Sequence, residues 1–369
     1  MKAIKNDDAL ELQTLVAGTM LLERFGHAEK IVLADGFSID GRVFIEIEGS
    51  MPVTMSKSIG LGIIEFSSEF QRLAPDLVLL IGDRYEALAA AIAAAYMNIP
   101  IAHIQGGEVS GSIDESARHA ITKFSHLHFP ATQRSADYIR KMGENPQYII
   151  NVGCPSGDYI TKLDPHIPTE IFSGLGVGKP INLDKPFFLV ILHAVTTEFE
   201  ENIKSANQLI RALDQLSHPT IWIWPNIDAG SDLISKALRA YRECDDSAWL
   251  YLIKNIDPLT YQKILKRATC AIGNSSSFIR DSTFSGTPVV LVGNRQFGRE
   301  HGENVVSCAS NSQDIIASIR QQVLHGRYNP INLYGNGKAS EQIVDALKKF
   351  QHYTQKKLYY LDEDVNFNN

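Results

Sequence analysis

Short apolar runs alternate with longer amphipathic stretches along most of this chain. LELQTLVAG, RVFIEI, DLVLLI, IPIAHI, HLHFPA and YIINVG read as strands, each closing on glycine, proline or polar residues. Between them, SKSIGLGIIEFSSEFQRL and SADYIRKMG carry apolar residues at helical spacing. From Leu163 to Pro186 the pattern lapses into a Pro- and Gly-rich connector with room for one short helix. A second series follows: FFLVILH, TIWIWP, AWLYLI, TCAIGNS, TPVVLVG and VVSCAS, with helices such as EFEENIKSANQLIRALDQL between. SEQIVDALKKFQHYTQ predicts a closing helix, and LDEDVNFNN a polar tail.

This alternation predicts an α/β chain of two Rossmann-like, doubly wound domains with a cleft between them. The expected divisions are residues 1–165, completed by 340–369, and residues 185–339. Helix-linked strands pair in parallel through right-handed crossovers, so their polar ends gather on one edge of the sheet. The start, MKAIKNDDA, resembles the tail of a helix and leads directly into a strand. A doubly wound domain usually opens on a strand and a glycine-containing turn, so we expect a truncated beginning here.

Composition narrows the classes. With 369 residues the chain is long enough for two domains. Its net charge of −7 argues against a general nucleic-acid binder, which needs a basic face. Cys154, Cys244, Cys270 and Cys308 are scattered, without CxxC or clustered His, so a disulfide framework or a metal site is not expected. No run approaches a membrane span, and the start lacks a signal peptide's apolar core, so a cytoplasmic protein is expected.

Four strand ends carry chemistry. After DLVLLI come Gly82, Asp83 and Arg84. Asp83 is a candidate general base or a helix cap; Arg84 is a candidate partner for phosphate or carboxylate. After IPIAHI, the segment QGGEVSGSIDESARHAITK offers Glu108, Asp114, Arg118 and His119, with Gly106 and Gly107 allowing close backbone approach. Asp114 can instead be an N-cap, and Arg118 is spaced to meet it across one turn. In GNSSSFIRDS, Ser275 and Ser276 begin a helix whose N–H groups and hydroxyls suit a diphosphate, with Arg280 or Arg295 adding charge. His193 ends the first strand of the second series and points toward the same cleft. Trp222 and Trp224 read as core or sheet surface, and the Lys348–Lys349 and Lys356–Lys357 pairs as a solvated helix face.

Together, GDRYEALA, HIQGGEVSGSIDESARHAITK, NVGCPSGD, LHAVTTEF and GNSSSFIRDSTFSGTPVVLVGNRQFGREHGENV resemble the hydrolysing UDP-N-acetylglucosamine 2-epimerases of sialic-acid and related nonulosonate biosynthesis. The likeness runs from about Leu10 to Phe350. It implies a glycosyltransferase-B-like fold whose C-terminal helix returns to the first domain. It also implies a reaction in which UDP leaves carbon-1 as a base removes the carbon-2 proton, and water then adds to the glycal. No cofactor or metal is implied. The partner is a UDP-sugar, and relatives suggest a homo-oligomer, dimer or tetramer. By resemblance, Asp83, Glu108 and Asp114 are the acid/base candidates and His193 the leaving-group partner. Ser275, Ser276, Arg295 and Arg84 would hold UDP, with Arg118, His119 and Asp281 also lining the substrate site. Some positions depart from the family: Met20 and Gln105 stand where titratable residues are common, Asp281 replaces a Glu, Phe278 replaces a small residue, and the N-terminal Gly-Ser/Thr-Arg turn is missing. A UDP- or GDP-linked diacetamido dideoxy sugar is the alternative substrate.

Overall fold

The computed structural model describes residues 1–23, 28–49, 51–164, 166–167, 176–226, 228–244 and 248–359. Much of the connector expected to hold a short helix, and the polar tail from 360, lie outside these residues.

The first unit contributes β1 (Leu15–Ala17), β2 (Gly41–Val43), β3 (Val78–Ile81), β4 (Ile101–Ile104) and β5 (Leu127–Phe129). All its ladders are parallel, yet the sheet is in two pieces, β1-β2 and β3-β4-β5. Helix Pro52–Leu73 and helix Tyr85–Tyr96 pack together over them. The apolar sides of both helices, including Phe66, Phe70, Ala89 and Ala93, join Val43, Ile45, Val78 and Ile101 in one core.

The second unit is one seven-stranded sheet in the order β12-β11-β10-β7-β8-β9-β6. Its strands are β6 (Gly176–Gly178), β7 (Phe188–Ile191), β8 (Thr220–Ile223), β9 (Leu250–Ile253), β10 (Cys270–Gly273), β11 (Val289–Val292) and β12 (Val305–Cys308). Only β6, at the edge, runs antiparallel. The four strands β7, β9, β10 and β11 are buried along their whole length, as parallel strands covered on both faces must be. Trp222 is fully buried in this core. The strand order reverses between β7 and β10, which makes their carboxyl ends the topological switch point where doubly wound sheets bind ligands.

Three expectations need correction. YIINVG does not form a strand: it pairs with the sheet through an isolated bridge from His128 to Ile149, after a turn of 3₁₀ helix at Pro146–Tyr148, and packs Val152 against Leu127 and Phe129. Pro146 lacks an N–H and fixes its own φ, which favours that tight turn over a ladder. The closing helix is Ala339–Lys349, shorter than the apolar pattern suggests. It returns to the first unit, where Ala339, Ile343 and Ala346 pack with Ile104, Leu127 and Phe129. Lys356 is not on a solvated helix face: it follows the helix in an extended strap and pairs with buried Glu144 at 2.7 Å.

Candidate active site

The carboxyl ends of β3 and β4 face those of β7, β8 and β10 across a seam closed by ion pairs. Two glycines shape its walls. Gly107 has φ +76°, and a Cβ there would meet the Ser135 carbonyl oxygen at 2.3 Å. Gly273 has φ +140°, and a Cβ would run into the Ile191 backbone. Both turns therefore need glycine.

Asp83 lies just beyond β3. It does not cap the next helix, whose N-cap is Arg84, without a side-chain cap bond. Instead it receives Arg118 Nε at 2.9 Å and Arg118 Nη2. Arg118 is buried, and its Nη1 donates to the Glu108 carbonyl at 2.5 Å. Burial would raise the Asp83 pKa, but Arg118, Arg299 and Arg280 outweigh it and hold the carboxyl down to about 2. The expected Arg118–Asp114 pair does not form, because Nε and Nη2 both converge on Asp83 Oδ2 and Nη1 is taken by the Glu108 carbonyl.

Asp114 pairs across the seam with Arg295 Nη2 at 2.9 Å, and Arg295 also approaches Asp228 at 3.8 Å. The helix N-cap is Ser112, whose hydroxyl donates to Asp114 Oδ2 at 2.9 Å. Burial pushes the Asp114 pKa up, and the Asp83 and Asp228 carboxylates add to this against the pull of Arg295. Asp114 is thus the stronger base of the two aspartates.

Glu108, 3% exposed, is clamped through Oε2 by Arg299 and, at 3.4 Å, by Arg280. Among the described residues nothing bonds Glu108 Oε1 or Arg299 Nε. A buried carboxylate oxygen left free beside two arginines is a ready acceptor for a substrate hydroxyl or a water.

His193 and Asn274 bracket the switch point and lock each other. The His193 N–H donates to Asn274 Oδ1 at 2.7 Å, and Asn274 Nδ2 donates to the His193 carbonyl at 2.9 Å. Burial and the neighbouring Arg295 push the imidazole down to about 3, against the Asp228 carboxylate. It is a neutral hydrogen-bonding group at physiological pH. Ser275 is the N-cap of the short helix Ser276–Arg280, and its hydroxyl pairs with Ser277 at 2.9 Å. Ser276 receives Arg280 Nη2 at 2.9 Å.

Arg84 spans to Glu86 at 3.0 Å and across the seam to Asp228 at 3.5 Å. Beside Tyr85 lies a small cavity of about 10 Å³, lined by Glu46, Ile47, Met51, Thr54, Met55 and Ala229 among others.

Two expected residues stand apart from the seam. His119 Nε2 pairs with Glu115 one turn back, at 3.6 Å. Asp281 sits buried behind Arg280, taking bonds from Ser156 Oγ and Gln262 Nε2, each at 2.7 Å. Arg299 and Asp228 were not among the expected residues. Arg299 falls four places after Arg295 in the loop beyond β11, a helical spacing that could have signalled it. Asp228 lies five residues beyond Ile223, the end of β8, further past its strand than Asp83 and His193, which are two past theirs. Among the described residues no three His, Cys, Asp or Glu side chains group as a metal site requires. Nor is any described helix long and apolar enough to cross a membrane.

The parallel sheets and their facing carboxyl edges define a two-lobed α/β protein with its ligand seam at the switch point. The chain belongs to the UDP-N-acetylglucosamine 2-epimerase family, whose model matches residues 2–348. It is 33% identical to a UDP-N,N'-diacetylbacillosamine 2-epimerase (hydrolyzing) of Legionella pneumophila, over 96% of this chain and 92% of that one. It is 29% identical to a UDP-N-acetylglucosamine 2-epimerase of Neisseria meningitidis, over 90% of this chain and 85% of that one. The fold matches the crystal structure of a UDP-GlcNAc 2-epimerase from Neisseria meningitidis bound to UDP-GlcNAc, with a TM-score of 0.74 at 18% identity over 94% of each chain.

Proposed function

We propose that this protein is a hydrolysing 2-epimerase of UDP-linked 2-acetamido sugars, with UDP-N-acetylglucosamine as the substrate and N-acetylmannosamine and UDP as the products. The observation that carries the reading is the seam, where Asp83, Glu108 and Asp114 of one unit oppose Arg280, Arg295, Arg299, Ser275 and His193 of the other.

Asp114, with its raised pKa, takes the proton from carbon-2. The carbon-2 electrons form the carbon–carbon double bond as the carbon-1–oxygen bond breaks and UDP departs. Ser275, Ser276, Arg280 and Arg295 receive the diphosphate, and neutral His193 donates a hydrogen bond to it. Water then adds across the glycal: its oxygen bonds to carbon-1 as a solvent-borne proton reaches carbon-2 on the opposite face, and the proton lost by that water and the one held by Asp114 return to solvent. The free oxygen of Glu108 suits the water. Asp83, ionised and pinned by Arg118, keeps the arginines in place electrostatically.

A second reading is a 4-acetamido-6-deoxy sugar linked to UDP or GDP. One observation favours it: the 33% identity to the Legionella relative.

One NMR time course in deuterium oxide, run with each nucleotide sugar, tests both readings. We expect free UDP (or GDP) and a manno-configured sugar carrying deuterium at carbon-2. Turnover without deuterium at carbon-2 would refute the mechanism, and turnover of one sugar alone decides the substrate. A product still bearing the nucleotide would mean a non-hydrolysing epimerase. Nucleotide binding without turnover would mean a sensor.

A further inference from the structure

Gln105 directly follows β4 and lies in the left-handed region, at φ +65°. Side chains with a Cβ seldom adopt that conformation, and they keep it where surrounding contacts over-determine it. Here the contacts are specific. Gln105 is 7% exposed, and both ends of its amide are engaged. Oε1 accepts from Arg280 Nη1 at 3.0 Å, across the seam. Nε2 donates to Cys154 Sγ at 3.1 Å. Cys154 Sγ pairs in turn with Ser156 Oγ at 2.9 Å, and Ser156 donates to Asp281 at 2.7 Å. Gln262 fixes the other Asp281 oxygen. A buried polar relay thus runs from the end of β4 to the residue following Arg280, and Arg280 is held from both sides.

The guanidinium is planar, so fixing one nitrogen fixes the others. With Nη1 on Gln105, the same nitrogen lies 3.4 Å from Glu108 Oε2, and Nη2 lies 2.9 Å from Ser276 Oγ. We infer that Gln105 is a positioning residue: its side-chain oxygen holds Arg280 so that one cation spans Glu108 on the first unit and Ser276 on the second. This inference rests on the epimerase reading, in which those two groups face the sugar and the diphosphate. The uncharged amide has a physical rationale. A neutral oxygen aims the guanidinium without neutralising it, so the charge remains for Glu108 and the leaving diphosphate.

Two variants test the role. Gln105→Gly removes the amide and also suits the positive φ, so the backbone loses nothing. Gln105→Glu keeps an acceptor oxygen for Arg280. We expect Gln105→Gly to melt at or above the wild-type temperature while kcat falls about tenfold or more, with KM changing less than kcat. Gln105→Glu should return Arg280 to both groups in a crystal structure but, by neutralising it, recover little of kcat. In a crystal structure of Gln105→Gly, Arg280 should leave Glu108 or Ser276. The inference is overturned if kcat of Gln105→Gly is unchanged, if activity and melting temperature fall together, or if Arg280 still spans both groups. Should the wild-type protein turn over no nucleotide sugar, the epimerase reading fails, while the position of Arg280 in the variant crystal still decides for or against its placement by Gln105.

Discussion

Two buried ionic clusters sit in this molecule, and they are built to opposite ends. Under the C-terminal strap, Glu144 receives Lys123 at 2.5 Å, Lys356 at 2.7 Å and His128 at 3.2 Å. The strap is fastened further by Tyr359 N–H to the Gly143 carbonyl at 2.8 Å, and by the His126 ring against Tyr353. Burial would raise the Glu144 pKa, yet the His128 bond and the two lysines hold it at about 2. At the seam, the arginines and carboxylates do not resolve into closed pairs. Asp114 is pushed up while Asp83 is held down, and the charged groups of Glu108 and Arg299 each keep a buried atom without a partner among the described residues, whereas under the strap only the imidazole Nδ1 of His128 lacks one. A cluster whose charges are mutually satisfied holds the chain together. A cluster left incomplete across two lobes keeps capacity for a ligand.

Exchanging the two roles should therefore fail, and the largest effect belongs to the seam. Asp114→Asn should lower kcat by about a hundred- to ten-thousand-fold, the usual contribution of a positioned base, and leave the urea midpoint nearly unchanged. UDP release under saturating substrate checks the first, and circular dichroism the second. Wild-type turnover in that variant would move the base to another residue.

Glu144→Gln should do the reverse. It leaves Lys356, mostly buried, facing an amide, and the loss of such a buried partner costs about 3–5 kcal/mol of stability. Turnover per folded molecule should stay within a few-fold. If denaturant curves of Glu144→Gln overlay the wild type, the strap cluster is not a fastening.

Acid should sharpen the contrast. His103, fully buried between Thr122 and the Gly82 carbonyl, is pushed by burial down to about 4. The unfolded chain binds a proton at that imidazole below about pH 6.5, and the folded chain does not. Its contribution is thus complete above 6.5 and is lost as pH falls toward 4, amounting to about 2 kcal/mol at pH 5. Burial shifts His128 in the same direction. Glu144 acts lower: its stabilisation is present above about 4.5 and is lost as pH falls through 2. Urea midpoints measured from pH 7.5 to 4.5 should fall steadily, and a flat profile would show that these groups are not buried in the folded state.

How far the sequence foretold all this differs between the two clusters for a physical reason. The strand ends were legible because period and punctuation are local: DLVLLI-GD and IAHI-QGGE carry their own boundaries. Three of the four catalytic candidates, Asp83, Glu108 and His193, follow from that rule alone. Pairings across the seam were not legible. Arg118 had an eligible partner one turn back in Asp114 and took Asp83 instead, because the tertiary fold brings a better-oriented carboxylate. Lys356 looked like an ordinary surface lysine, since nothing local marks a strap that reaches a carboxylate more than two hundred residues away. The break between the β1-β2 pair and β3-β4-β5 was not legible, since sheet order is a property of the whole domain.

The smallest effect concerns the hydroxyls beneath the proposed diphosphate. Among the described residues the Ser275 hydroxyl bonds only that of Ser277, which itself pairs with Tyr261 at 2.5 Å. Removing Ser275 Oγ strands no buried charge, because Ser277 keeps its tyrosine partner. Ser275→Ala should therefore leave folding intact and cost UDP affinity on the order of 1 kcal/mol, about fivefold in Kd, as the loss of one neutral hydrogen bond does. Calorimetric titration with UDP checks it, with uridine as the control that lacks the diphosphate and should bind both proteins alike. Equal loss for UDP and uridine would put the serine against the nucleoside. No loss for either would take the diphosphate away from this helix and leave Arg280 and Arg295 as its holders.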